Sequence, residues 1–228
     1  MIALMACSQT NGETTETQPA TDTATTTVTS ATTETTATET AATATQPPAA
    51  EEKAMPTDSK VAELHTTAGE IDIRFFPDVA PNHVKNFLDL AAKGFYNGTK
   101  FHRIIPGFMI QGGDPNTISG DPSTWGTGGS PNNVKAEFNS VSHKRGIVSM
   151  ARANDPNSAS SQFFIVVKDS NFLDNNYTVF GEVTKGMDVA DKIVSAQKGP
   201  QDRPTNPVAI TKIVIRDAHD DEKGPTPK

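Results

Sequence analysis

The stretch Phe101–Asp114, FHRIIPGFMIQGGD, sets one arginine and one glutamine among two phenylalanines, one methionine and three isoleucines, then closes on a Gly-Gly-Asp turn. A strong cation placed in such apolar company asks for a chemical reason. Outward from it, the pattern is that of short strands. Lys100–Ile104 and Phe108–Gln111 are strand-like, as are Ile147–Ala151, Gln162–Val167 and Val179–Val183 further on. Upstream, Val61–His65 and Ile71–Phe75 alternate in polarity and are joined through Thr66-Thr-Ala-Gly69, a hairpin signal. Pro81 opens a helix whose Val84, Phe87, Leu88 and Ala91 share one face, with Gly94 placed to end it. A second helix is predicted over Met187–Ser195 and a last strand over Ala209–Arg216. Many strands with two helices point to a closed sheet with helical caps.

The rest of the chain is of another kind. Only 35% of its 228 residues are hydrophobic, low for a chain folded throughout. Residues 8–60 form a Thr/Ala/Glu/Pro-rich linker, in which Ser8–Ala50 is about four-tenths Thr and has no Lys or Arg; such a composition cannot bury a core and is expected to stay disordered. A plain spacer is the favoured reading, a glycosylated stalk the sharper one. The folded domain spans 61–217, and 218–228 reads as a flexible tail. Of the net charge of −7, most lies in the linker: eight acids face two bases over 8–60, and nineteen face eighteen elsewhere. A near-neutral domain on an acidic leash carries no footprint for nucleic acid.

No Cys/His cluster suggests a metal and no phosphate-cradling glycine loop suggests a nucleotide, so no cofactor is expected. Ser149 and His102 lack the G-x-S-x-G elbow of a hydrolase. No segment is long and apolar enough to span a bilayer as a helix. The one cysteine, Cys7, ends Leu4-Met5-Ala6-Cys7, which resembles a bacterial lipobox. Residues 1–7 then read as the end of a signal segment, and an upstream extension with Lys or Arg is expected. On this reading Cys7 carries lipid and tethers the protein to a membrane, outside the cytoplasm, in a bacterial cell envelope.

Within 61–217 the motifs together resemble the cyclophilins, the peptidyl-prolyl isomerase family. FHRIIPGFMIQGGD is similar to that family's signature segment, and GTGG at Gly126–Gly129, SMARA at Ser149–Ala153, SSQFFI at Ser160–Ile165 and FLDNNYTVFGEV at Phe172–Val183 follow in family order. The resemblance implies a closed eight-stranded antiparallel β-barrel capped by two α-helices, with the site in a groove on the outer wall. It implies Arg103 as the catalytic donor, and Phe108, Met109, Phe164 and Leu173 as the pocket for a proline ring. Gln111 and the backbone at Ala151 and Arg152 would hold the peptide ahead of the proline, with Gly126 beside them. Phe172, Tyr177 and Arg152 stand where many eukaryotic members have Trp, His and Asn, and look like the bacterial branch. Phe172 lacks the indole N–H that cyclosporin is expected to use, so tight drug binding is not expected.

The resemblance gives the opening arginine its reason. The bond before proline rotates over a barrier of about 18–20 kcal/mol. Twisting frees the nitrogen lone pair, and a donor aimed there stabilises the twisted state above either planar one. Arginine is always charged and carries several donors in a rigid fork. His102 reads as structural, since this reaction needs no base. The only Trp, Trp125, reads as the anchor of the polar loop 115–125. The expected partners are proline-containing unfolded or flexible segments of exported or envelope proteins, and a monomer is expected. A tethered module that grips such segments without essential turnover is the alternative.

Overall fold

A computed structural model describes residues 60–227 of the chain. Cys7, the lipobox-like tetrad and the Thr-rich linker lie outside the described residues. In chain order the elements are β1 (Lys60–Thr66), β2 (Gly69–Phe75), α1 (Pro81–Ala92), β3 (Arg103–Ile105), β4 (Met109–Gly112), β5 (Ile147–Met150), β6 (Phe163–Val166), β7 (Val179–Lys185), α2 (Met187–Val194) and β8 (Ile210–Asp217). Single 3-10 turns punctuate the long connections, among them Asn171–Leu173 and Pro200–Asp202.

The strands form one antiparallel sheet in the order β3-β4-β6-β5-β7-β2-β1-β8. The expected closed barrel is therefore corrected to an open half-barrel with β3 and β8 as its edges. Only a few bonds join those edges, made by the segment ahead of β3: Phe101 N–H donates to the Val208 carbonyl and Ile210 N–H to the Thr99 carbonyl. Among the described residues no ladder pairs β3 itself with β8.

Alternation along the strands gives the sheet two apolar faces. Phe163 and Ile110 enter one buried cluster, with Val84, Phe87 and Ala91 of α1 and Ala190 and Ile193 of α2. Phe164 and Met109 enter another on the opposite face. On α1 the buried face includes Leu90, while Leu88 is only half-buried. Ala80 gives that helix no side-chain cap. Glu137 from a distant loop supplies one, accepting from Asn82 N–H at 3.1 Å and His83 N–H at 3.0 Å; this satisfies donors that every helix start leaves open. Residues after Asp217 are also engaged. Arg216 pairs with Glu222 at 2.6 Å, and Arg74 donates to the Gly224 carbonyl at 3.0 Å.

Candidate active site

One rung of the sheet carries the site. Arg103 on β3 lies opposite Gln111 on β4, Gln111 opposite Phe164 on β6, and Phe164 opposite Ser149 on β5. Directly opposed residues of an antiparallel pair put their side chains on one face. The sequence thus brings a cation, an amide and an aromatic ring side by side on three strands from two separate motifs. Met109, two residues before Gln111, shares this face and packs with Phe108, Phe164, Leu173 and Ala151 in one buried cluster. Tyr177 flanks it, edge-on to Phe164 at 5.8 Å between ring centres. Phe172 is 62% exposed and rests its ring against Phe108 at 5.3 Å.

The polar half of the rung is a relay of amides. Arg103 Nη1 donates to Gln111 Oε1 at 3.5 Å. Gln111 is buried and its Nε2 donates to Gln162 Oε1 at 2.9 Å. Gln162 Nε2 in turn donates to the carbonyls of Gly126 and Gly128, at 3.0 and 2.7 Å. Each amide has one end fixed, so the other end is oriented. Gln162 sits inside the SSQFFI motif but was not among the expected site residues; nothing in its own spacing separates it from a surface amide. Gly126 stands at φ +91, a region that favours glycine, and its N–H donates to the Asp114 carboxylate. A cavity of about 560 Å³ opens here, lined by Arg103, Gln111, Gly126, Ala151, Arg152 and Gln162 among others. Phe108, Met109, Phe164, Phe172, Leu173 and Tyr177 do not line that cavity; they form the apolar cluster and its rim.

Arg103 keeps one-fifth of its side chain exposed. Burial draws its pKa down, and the Asp202 carboxylate opposes that, with Arg103 Nε 3.9 Å from Asp202 Oδ2. A guanidinium stays protonated under such a shift. His102 is buried beside it, and desolvation lowers its pKa, so it is neutral at pH 7. Arg152 is turned to a structural task. Its Nε and Nη2 donate to the Asn176 carbonyl at 3.1 and 3.0 Å, and its guanidinium lies 4.8 Å from the Tyr177 ring centre. Ala151 donates its N–H to the Gln162 carbonyl at 2.9 Å.

Residues 61–215 match the family described as cyclophilin type peptidyl-prolyl cis-trans isomerase/CLD. This chain belongs to the cyclophilins. It is 46% identical to peptidyl-prolyl cis-trans isomerase A of Dickeya dadantii over 168 residues, 70% of this chain and 86% of that one. It is 45% identical to a probable peptidyl-prolyl cis-trans isomerase of Brucella abortus over 152 residues, 64% of this chain and 78% of that one. Among solved structures it resembles a Cryptosporidium parvum cyclophilin type isomerase determined in the presence of the dipeptide Ala-Pro, with a TM-score of 0.63 and 32% identity over 68% of this chain and 98% of that one. The protein is a peptidyl-prolyl cis-trans isomerase.

In this cyclophilin a second network braces the apolar wall. Asp174, next to Leu173, lies 2.8 Å from His143 Nδ1, and His143 Nε2 lies 3.1 Å from Ser149 Oγ. His143 also stacks on Phe164 with an interplanar angle of 14°. This is a Ser-His-Asp series in composition, with His143 rather than His102 beside the serine. The pair is engaged internally: Ser149 Oγ donates to the Thr178 carbonyl at 2.9 Å as well as meeting His143, so it serves as a brace and not a nucleophile. Their effect is to fix Leu173 and the Phe164 ring. Trp125 anchors its loop as expected: its Nε1 donates to the Gly120 carbonyl at 3.2 Å, and Lys100 and Arg203 lie over its ring at 5.2 and 5.6 Å. It also reaches the cavity wall.

Proposed function

We propose that Arg103 drives isomerisation by donating an N–H to the prolyl nitrogen as the peptide bond twists. The observation that carries this is the rung itself: Arg103 stands beside Gln111 and Phe164, with Gln111 held by Gln162. A proline ring seated on Phe164, Met109 and Leu173 brings its nitrogen near the guanidinium. In the planar amide that nitrogen is a poor acceptor; in the twisted state it is a good one. The hydrogen bond is therefore worth more at the top of the barrier than at either end. It forms in a partly desolvated site from a donor that needs no reorganisation. No proton is transferred and no covalent bond forms. Gln111 and the backbone at Ala151 and Arg152 hold the preceding residues, so that rotation is confined to one bond.

The proposed clients are proline-containing segments of unfolded exported or envelope proteins. The Leu4-Met5-Ala6-Cys7 tetrad supports lipid on Cys7, and the acidic Thr-rich stretch after it supports a spacer that holds the domain off a membrane. The test of function is turnover by the full chain at substoichiometric amounts on a short Xaa-Pro peptide. Accelerated exchange supports an enzyme; binding without acceleration supports a grip without turnover. Arg103→Lys keeps the charge, loses the fork and is expected to lose most of the rate. For the anchor, Cys7→Ser in cells carrying the native upstream region is expected to shift the protein from membrane to soluble fraction and to change its mass. If neither changes, the anchor is wrong.

A further inference from the structure

The turn beside Arg103 adopts a costly conformation. Gln201 and Asp202 stand at φ +61 and +56. Two consecutive non-glycine residues in the left-handed region persist only where their surroundings over-determine them, and such outliers cluster at functional sites. The surroundings here are specific. Lys198 Nζ donates to Asp202 Oδ1 at 2.6 Å, and Gly199 N–H donates to the Arg203 carbonyl at 2.8 Å. Arg203 Nη2 donates to Gln201 Oε1 at 2.8 Å while its guanidinium lies over Trp125. The outcome of this fastening is that the other carboxylate oxygen, Asp202 Oδ2, faces Arg103 Nε at 3.9 Å.

The Asp202 carboxylate is thus divided, one oxygen to Lys198 and one to Arg103. Gln111 holds Arg103 at Nη1, and Asp202 attracts it at Nε, so the guanidinium plane is steered from two sides. The separation from Asp202 is longer than a hydrogen bond, so the attraction orients the fork without consuming a donor. A carboxylate at hydrogen-bond distance would compete with the prolyl nitrogen for the same N–H groups. We infer that Asp202 is a positioning residue for Arg103, held in a strained turn so that the guanidinium presents a free N–H to the twisted prolyl bond. The inference rests on the role proposed for Arg103.

The test uses the full chain with Asp202→Asn and Asp202→Gly. Both residues tolerate the left-handed region, so the turn is retained while the charge, or the whole side chain, is lost. kcat and KM are measured separately by exchange NMR on a short Ala-Pro peptide, and the Arg103 Nε–Hε signal is followed by ¹⁵N NMR. A partly exposed pair of this kind predicts a kcat loss of about threefold to fivefold with KM little changed. The difference from wild type should shrink at high salt, as screening weakens the pair. The Arg103 Nε–Hε signal should broaden in both variants. Wild-type kcat in folded Asp202→Asn and Asp202→Gly, or a loss confined to KM, would overturn the inference. If Arg103→Ala is inactive while both Asp202 variants are fully active, only the positioning role falls. If Arg103→Ala keeps wild-type turnover, the arginine mechanism falls with it.

Discussion

Gln162→Ala removes the hub of the amide relay. The substitution deletes three hydrogen bonds: the one accepted from Gln111 at 2.9 Å and the two donated to Gly126 and Gly128 at 3.0 and 2.7 Å. Each contributes roughly 0.5–1.5 kcal/mol net. Gln162 is half-buried, so water replaces part of what is lost; the expected cost is about 2 kcal/mol. For a domain of this size that lowers Tm by about 4–8 °C. The larger effect is on rate. Without Gln162 the Gln111 amide is free to turn, and Arg103 loses an oriented acceptor. Misplacement of a positioned donor worth about 1.4 kcal/mol lowers kcat/KM about tenfold. Gln162→Glu is the informative companion. It keeps the acceptor for Gln111 but turns a carboxylate oxygen toward two carbonyls, so it should be less stable than Gln162→Ala at neutral pH. Thermal melts by circular dichroism and exchange NMR on an Ala-Pro peptide read both quantities. If Gln162→Ala melts lower yet isomerises within twofold of wild type, the relay is scaffold and does not orient the site.

Other outcomes follow from the apolar wall and the buried histidines. Phe172→Trp is expected to raise cyclosporin affinity more than peptide turnover, since the exposed Phe172 ring is well placed on the rim but offers no N–H; one added hydrogen bond corresponds to about 0.5–1.5 kcal/mol in a drug titration, and unchanged affinity would place the weakness at Arg152 or Tyr177. His83 and His143 have pKa values lowered by burial. Their folded values lie below the unfolded one of about 6.5, so the unfolded chain takes up protons first as pH falls. Their contribution is fully present above about pH 6.5 and declines as pH drops toward the folded values. Urea midpoints that rise between pH 7.5 and 5.5 would contradict this.

The grouping of the candidate site residues was legible in the sequence where it is local and patterned. Arg103, Phe108, Met109 and Gln111 fall within one stretch of fourteen residues, and the alternation that separates Met109 from Ile110 follows from strand period alone. Strand extents were read to within a residue or two where alternation was clean, as in β1 and β8. Lys100–Phe101 misled: it has strand composition but makes an isolated bridge, and β3 begins only at Arg103. The closed sheet, expected from the many strands and from the family resemblance, depends on whether β3 and β8 pair, and no periodicity reports whether the two edges of a sheet meet. Gln162, Asp202 and the His143–Asp174 pair were missed for one reason. Each meets its partner far along the chain, 51, 99 and 31 residues away, and sequence spacing carries no signal for such pairs.

Turnover by Arg103→Ala tests the central claim most directly. The side chain is partly exposed and lies outside both apolar clusters, so the variant should fold with an unchanged circular dichroism spectrum. With the full chain and a short Ala-Pro peptide, exchange NMR should show the peptide still bound and its isomerisation slowed about a hundredfold or more, the loss of roughly 3 kcal/mol of selective stabilisation of the twisted state. A folded Arg103→Ala protein that isomerises within threefold of wild type would contradict the account, because the donor assigned to the prolyl nitrogen would then be dispensable.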